Sequence, residues 1–291
     1  MRRTLRVVAC GLLIGCAALV FTQSATAKVK VGTGTAHACA IKQNDKLLCW
    51  GGSNSYGELD APSGEYKGLS VGDYHACAIK KGNKKLKCWG YDDYGETDEP
   101  GFKVKAVAAG YYVTCVIKMN DQLSCFGYDN YNVDDEPSGK FKQIDAYSYG
   151  EHACGVKLNG KALCWGDNDY GKGDEPGGKF VRVTTGAYHS CGLRANGAIK
   201  CWGYDDYGET DTPSGDYKGV FGAYYVTCGI RESGTLNCYG YDGYDVDDEP
   251  SGKFRQGAAG EYAACAVKVN DKVVCWDDGS TDLSDVPGAL S

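Results

Sequence analysis

Beyond Phe21 the chain has no apolar run long enough to cross a membrane. It has no stretch with the 3.6-residue apolar periodicity of a helix either. A helical membrane protein and a helix-based fold are thereby excluded. No nucleophile elbow, phosphate loop, zinc motif or paired-carboxylate signature occurs, so nothing in the sequence points to an enzyme. Only four histidines are present: His37, His75, His152 and His189. Each stands two residues before a cysteine, in a slot that Val113, Val226 and Ala263 fill elsewhere, which marks a packing position rather than a catalytic one. Lys and Arg (31) are outnumbered by Asp and Glu (38), and the net charge of −7 argues against a nucleic-acid partner, which needs a basic surface.

Cysteine is abundant, with 16 residues, and 14 of them fall into seven pairs: Cys39/Cys49, Cys77/Cys88, Cys115/Cys125, Cys154/Cys164, Cys191/Cys201, Cys228/Cys238 and Cys265/Cys275. The first cysteines recur every 37 to 39 residues, the signature of a repeat architecture. Between Cys154 and Cys164 the midpoint is Asn159. A three-residue loop, Leu158-Asn159-Gly160, then sets the two cysteines directly opposite each other on a hairpin, within disulfide reach. The third loop position needs a left-handed backbone. It is Gly160, Gly197 and Gly234 in three repeats and Asp45, Asp121 and Asp271 in three others, while the second repeat carries one extra residue. Buried free thiols and zinc ligation are the alternatives, but no second ligand pair lies near any of these at metal-site spacing.

A short leading strand precedes each hairpin, as at Phe141-Lys-Gln-Ile-Asp and Phe180-Val-Arg-Val-Thr. Seven small sheets in tandem bury their faces by radial packing, and the first and last units lack the polar character of solenoid caps. The expected fold is all-β, a seven-bladed β-propeller of three-stranded or four-stranded blades with one hairpin disulfide each. Lys28–Val31 reads as the first outer strand. If a blade takes its leading strand from the next repeat, this segment completes the last blade.

Residues 1–27 read as a signal peptide, with basic Arg2, Arg3 and Arg6, an apolar run to Phe21, and Ala25-Thr26-Ala27 before the cut. The propeller domain is then 28–291. Leu13-Ile14-Gly15-Cys16 offers a second reading, a lipoprotein box with a lipid anchor at Cys16. Cleavage after Ala27 leaves only the paired cysteines, which suits a secreted or periplasmic location. A longer period overlies the repeats. Tyr-Asp-Asp-Tyr-Gly-Glu-Thr-Asp recurs at 91–98 and 204–211, and Tyr-Tyr-Val-Thr-Cys at 111–115 and 224–228, so 72–184 reads as a three-repeat block copied into 186–291.

His189-Ser-Cys-Gly-Leu-Arg194 followed by Cys201-Trp-Gly-Tyr-Asp-Asp-Tyr-Gly208 resembles the regulator of chromosome condensation repeat family, closest to its secreted, cysteine-paired bacterial branch. The resemblance covers about 30 to 280 and implies a seven-bladed propeller. Known members divide in function. One is a nuclear nucleotide-exchange factor on chromatin, one a secreted bacterial inhibitor of β-lactamases, and others form the extracellular parts of plant receptor kinases.

The loops after each Trp-Gly position hold most of the chain's acidic residues, interleaved with tyrosines. Equivalent loops emerge at equivalent places around a propeller, so a negative, tyrosine-rich rim is expected. Its candidate binding residues are Tyr91, Asp92, Asp93, Tyr94, Tyr128, Asp129, Tyr131, Tyr170, Tyr204, Asp205, Asp206, Tyr207, Tyr241, Asp242 and Tyr244, with Tyr56 in the same register. Three readings compete: turn chemistry and solvation, a surface that recognises a basic protein or peptide, and calcium ligation by runs such as Asp247-Asp248-Glu249. The expected function is that of an exported, monomeric binding protein with no required cofactor, inhibition of an exported enzyme being one form of it. The alternative is adhesion to carbohydrate or a cell surface, with calcium as an aid.

Overall fold

The computed structural model describes residues 28–128, 132–133, 135–147, 151–212, 214–241, 243, 245–277 and 279–291. Within them, twenty-one strands form seven three-stranded antiparallel sheets, each a meander in chain order. The blades cover 30–51, 66–90, 104–127, 141–166, 180–203, 217–240 and 254–277. Among the described residues no fourth strand completes any blade.

Every cysteine pair lies in register across its hairpin. All seven are disulfides with Cα atoms 4.0 to 4.1 Å apart: Cys39–Cys49, Cys77–Cys88, Cys115–Cys125, Cys154–Cys164, Cys191–Cys201, Cys228–Cys238 and Cys265–Cys275. The free-thiol and zinc alternatives are thereby set aside. The two cysteines of a pair differ in surroundings, which their spacing does not reveal. Cys39, Cys77, Cys115, Cys154, Cys191, Cys228 and Cys265 stand on middle strands, sandwiched between blades, and are fully buried. Their partners stand on the third strands, at the outer edge of each blade. There Cys49, Cys125, Cys164 and Cys238 are only half-buried, while Cys88, Cys201 and Cys275 remain covered.

The loop argument holds. Gly160, Gly197 and Gly234, and Asp45, Asp121 and Asp271, all have positive φ. In the longer second hairpin Lys84 takes that conformation, at φ 62°.

The leading strands pack side by side around the axis, the first against the seventh included. Six of them line an axial cavity of about 130 Å³. Side chains stitch neighbours together there. Gln143 accepts from the Val183 N–H and donates to the Val183 carbonyl, and Gln256 does the same with Val31. Glycine makes this proximity feasible. A Cβ on Gly34 would lie 2.1 Å from the Gly72 carbonyl oxygen, and one on Gly72 2.1 Å from that of Gly110. The middle strands are almost wholly buried between blades.

Both expectations about Lys28–Val31 are corrected. The strand is Lys30–Thr33, it is innermost, and it pairs with its own hairpin at His37–Ile41. The ring closes through the tail instead. In five blades the Trp indole N–H reaches back to a carbonyl in the loop of the preceding blade, as Trp89 does to Glu58 at 2.9 Å and Trp202 to Lys172 at 2.9 Å. Trp50 of the first blade donates to Leu283 at 3.1 Å. The tail therefore serves the first blade as each inter-blade loop serves the next. Leu283 and Leu290 are buried in the cluster shared by the last and first blades.

Candidate functional site

Antiparallel pairing fixes which loops meet. The third strand of each blade ends where the middle strand begins, so the loop after the third strand emerges beside the link between leading and middle strands. Backbone bonds join the two: Tyr91 N–H to Tyr74 O at 2.8 Å, Tyr128 to Tyr112 at 2.8 Å, Tyr204 to Tyr188 at 2.9 Å and Tyr241 to Tyr225 at 3.0 Å.

The result is two clusters of seven tyrosines. The first is Tyr56, Tyr74, Tyr91, Tyr94, Tyr111, Tyr112 and Tyr128. The second is Tyr170, Tyr188, Tyr204, Tyr207, Tyr224, Tyr225 and Tyr241. Contacts repeat between them. Tyr94–Tyr128 at 4.6 Å matches Tyr207–Tyr241 at 4.8 Å, and the near-parallel pair Tyr74–Tyr112 matches Tyr188–Tyr225. Most contacts are edge-to-face or tilted, the arrangements ring quadrupoles favour. Tyr56, Tyr94, Tyr128, Tyr170 and Tyr207 are exposed despite their size.

All the expected tyrosines that the structure describes are thus brought together. Tyr74, Tyr111, Tyr112, Tyr188, Tyr224 and Tyr225 are additions, since they lie in the links, outside the loops on which the sequence argument rested. For Tyr111, Tyr112, Tyr224 and Tyr225 the signal was the Tyr-Tyr-Val-Thr-Cys repeat, and for Tyr74 and Tyr188 their shared place just before His75 and His189. Asp129, Tyr131, Asp242 and Tyr244 lie outside the described residues.

The carboxylates divide by task. Asp92 accepts the Thr97 N–H at 3.0 Å and Asp205 the Thr210 N–H at 2.8 Å. Asn54 and Asn168 do the same in the first and fourth repeats, at 2.8 and 2.6 Å. Asp93 and Asp206 accept the hydroxyls of Tyr91 and Tyr204. Desolvation and then that bond push the Tyr91 phenol well up, and for Tyr204 the bond comes first. Both therefore remain protonated hydrogen-bond donors at neutral pH. Glu58, Glu96 and Glu209 are buried, contrary to a simple exposed acidic rim. Each accepts the N–H of a cluster tyrosine: Tyr56 at 2.8 Å, Tyr94 at 3.0 Å and Tyr207 at 3.0 Å. Burial raises the Glu96 and Glu209 carboxyls above the ordinary range. In the fourth repeat Lys172 fills this slot, paired with Asp167 at 2.6 Å and set over the Tyr188 ring. Among the described residues, no group of three or more His, Cys, Asp or Glu side chains is placed to hold a metal ion.

The histidines join blades. His75 lies 2.7 Å from the Thr114 hydroxyl and His189 2.7 Å from Thr227. Each hydroxyl in turn donates to a loop carbonyl, of Glu96 or Glu209, so the imidazole Nε2 is the donor. His152 and Ser190 form the same pair at 2.8 Å, and both are almost fully buried. Among the described residues, no helix is long and apolar enough to cross a membrane. Seven disulfides fit an oxidising, extracellular type of environment.

Comparison with known proteins places this architecture. The regulator of chromosome condensation (RCC1) repeat matches at residues 29–58, 66–96, 141–172 and 180–209. No curated protein matches the sequence. Among solved structures, the ectodomain of the Physcomitrella patens receptor kinase CR4 is similar, with 23% identity and a TM-score of 0.74 over 87% of this chain and 74% of that one. The CRINKLY WD40 ectodomain of the Arabidopsis thaliana receptor kinase ACR4 follows at 23% and 0.72, over 87% and 97%. Prp20p of Saccharomyces cerevisiae, described with its binding to Gsp1p and histones, gives 13% and 0.66 over 86% and 80%. At such identities these structures establish a shared fold. Four of the seven blades thus carry the RCC1 repeat, and all seven are built on one plan: this is an RCC1-repeat propeller.

Proposed function

We propose that this propeller is an exported binding protein that captures a protein partner of basic character on its tyrosine-lined face. The observation that carries the proposal is the paired, partly exposed tyrosine clusters. Tyrosine supplies large contact area for little lost side-chain freedom, and it forms the centre of many protein interfaces. Exposed carboxylates in the same loops, Asp92, Asp93, Asp205 and Asp206, would draw in a cationic partner. Prp20p, of the same fold, is described as binding Gsp1p and histones, which supports a protein partner for this fold in general. Inhibition of an exported enzyme is the concrete form we favour, with the propeller acting as a monomer and without chemistry of its own.

The test is capture from the exported fraction of the source organism with the oxidised protein, at low and high salt, with and without calcium. A protein partner lost at high salt and indifferent to calcium is expected. Capture of glycans alone, or capture only with calcium, overturns the proposal in favour of an adhesion module.

A further inference from the structure

Beside the first tyrosine cluster, between the third and fourth blades, lies a cavity of about 240 Å³. It is lined by Tyr111, Tyr112, Tyr128 and Tyr147, by Val113 and Val133, and by the acidic Glu151 and the buried His152. The rings pack on one another at an angle, Tyr111 and Tyr112 4.0 Å apart at 58° and Tyr112 and Tyr128 6.2 Å apart at 84°. All four tyrosines contribute to the lining of the one cavity. Aromatic faces carry negative quadrupole potential, and a carboxylate adds to it. A cage of this composition suits a cation that is large, weakly hydrated and unable to demand hydrogen bonds. Size agrees, because a dry cavity of roughly 150 Å³ already holds benzene.

We propose that this cavity is a binding site for a quaternary methylammonium group. The feature is particular to one of the two clusters. Tyr224, Tyr225 and Tyr241 repeat three of the four rings. However, the residue after Ala146 is Tyr147, whereas the residue after the corresponding Ala259 is Gly260. The two links thus differ: Tyr147 follows the leading strand beside the first cluster, and Gly260-Glu261-Tyr262 follows it beside the second. The cage lies on the face assigned above to a protein partner, yet small ammonium ions test it without that partner, so either idea can fail alone.

The experiment is calorimetric titration of the oxidised protein with tetramethylammonium, choline, a peptide bearing trimethyl-lysine and the same peptide unmethylated. Dimethylbutanol, the neutral carbon isostere of choline, is the control for a merely apolar hollow. Binding of the methylated cations, with the isostere and the plain lysine peptide weaker by about fivefold or more, is expected. Tighter binding of the peptide than of choline assigns the group to a modified protein, and the reverse order assigns it to a free metabolite. Tyr128→Leu, at an exposed position that should not disturb folding, and Glu151→Gln each lower affinity about fivefold. Tyr241→Leu in the other cluster leaves it unchanged. The proposal is overturned if no ammonium ion binds, if dimethylbutanol binds as tightly as choline, or if affinity survives both Tyr128→Leu and Glu151→Gln.

Discussion

At Asp92 and Asp205 charge and architecture can be separated. Both close their loops by accepting a backbone N–H, and Asn54 and Asn168 close the equivalent loops without a charge. Asp92→Asn with Asp205→Asn should therefore leave the melting temperature unchanged and weaken partner capture at low salt, whereas the alanine pair should lose about 1 kcal/mol per site. Thermal melts beside the capture assay decide this, and melting of the asparagine pair at lower temperature would make the acids structural. The buried histidines set a pH response. Burial lowers His37 and His189 to about 4 and His75 to about 3, from an ordinary 6.5. Between those values the unfolded chain binds protons that the native one refuses, so stability falls as pH drops from about 6.5 toward 4. Glu96 and Glu209 act the other way. Their raised carboxyls favour the native state below about 4.5 and lose that contribution as pH rises through the raised value. The variant His189→Gln keeps a donor toward Thr227 and isolates one histidine: denaturant titrations should show its acid sensitivity reduced relative to the parent. An unchanged slope would mean that other groups govern acid unfolding.

At the level of the element, each disulfide stays within one hairpin and each Trp reaches across to the neighbouring blade. Removing one disulfide, by Cys154→Ala with Cys164→Ala, should cost roughly 2–3 kcal/mol and leave the other blades intact. Trp89→Phe should cost about 1–3 kcal/mol, because the buried Glu58 carbonyl loses its donor. Urea unfolding of each variant checks both figures. Much of this was legible beforehand. A three-residue loop with Gly160 or Asp121 at its left-handed position dictates where the opposed cysteines fall, since local geometry suffices. The unequal burial of Cys115 and Cys125 was not legible, because it depends on which strand of the hairpin neighbouring blades cover. Nor was the innermost place of Lys30–Thr33, because periodicity gives the spacing of strands but not their radial order. The link tyrosines were missed for a related reason. Tyr112 and Tyr128 meet only through antiparallel pairing across a whole hairpin. The burial of Glu96 was hidden as well, since a glutamate among aspartates in a turn-rich loop gives no sign that its side chain points inward.

Across the whole molecule the tyrosine clusters recur three blades apart on a ring of seven, which gives the propeller two near-equivalent docking places. A partner that uses them should bind in a ratio of two to one. Tyr94→Ala or Tyr207→Ala alone should then halve the number of sites, while the double variant abolishes binding. Analytical ultracentrifugation with titration reads the ratio directly, and a one-to-one complex abolished by either single change would mean one composite site. Closure of the ring rests on the tail. Deleting 279–291 strips the Trp50 indole of its acceptor and removes buried Leu283 and Leu290, a loss of roughly 3–6 kcal/mol measurable as a lower melting temperature. Because that tail occupies the place an inter-blade loop occupies elsewhere, and Val29 lines the same hollow as Leu290 and Ser291, the propeller itself is a circle with a single nick between Val29 and Ser291. A circular permutant of residues 28–291 that splices Ser291 to Lys28 and opens the exposed turn at 63–65 should fold to the same propeller, and the place where translation starts becomes interchangeable among the seven gaps between blades.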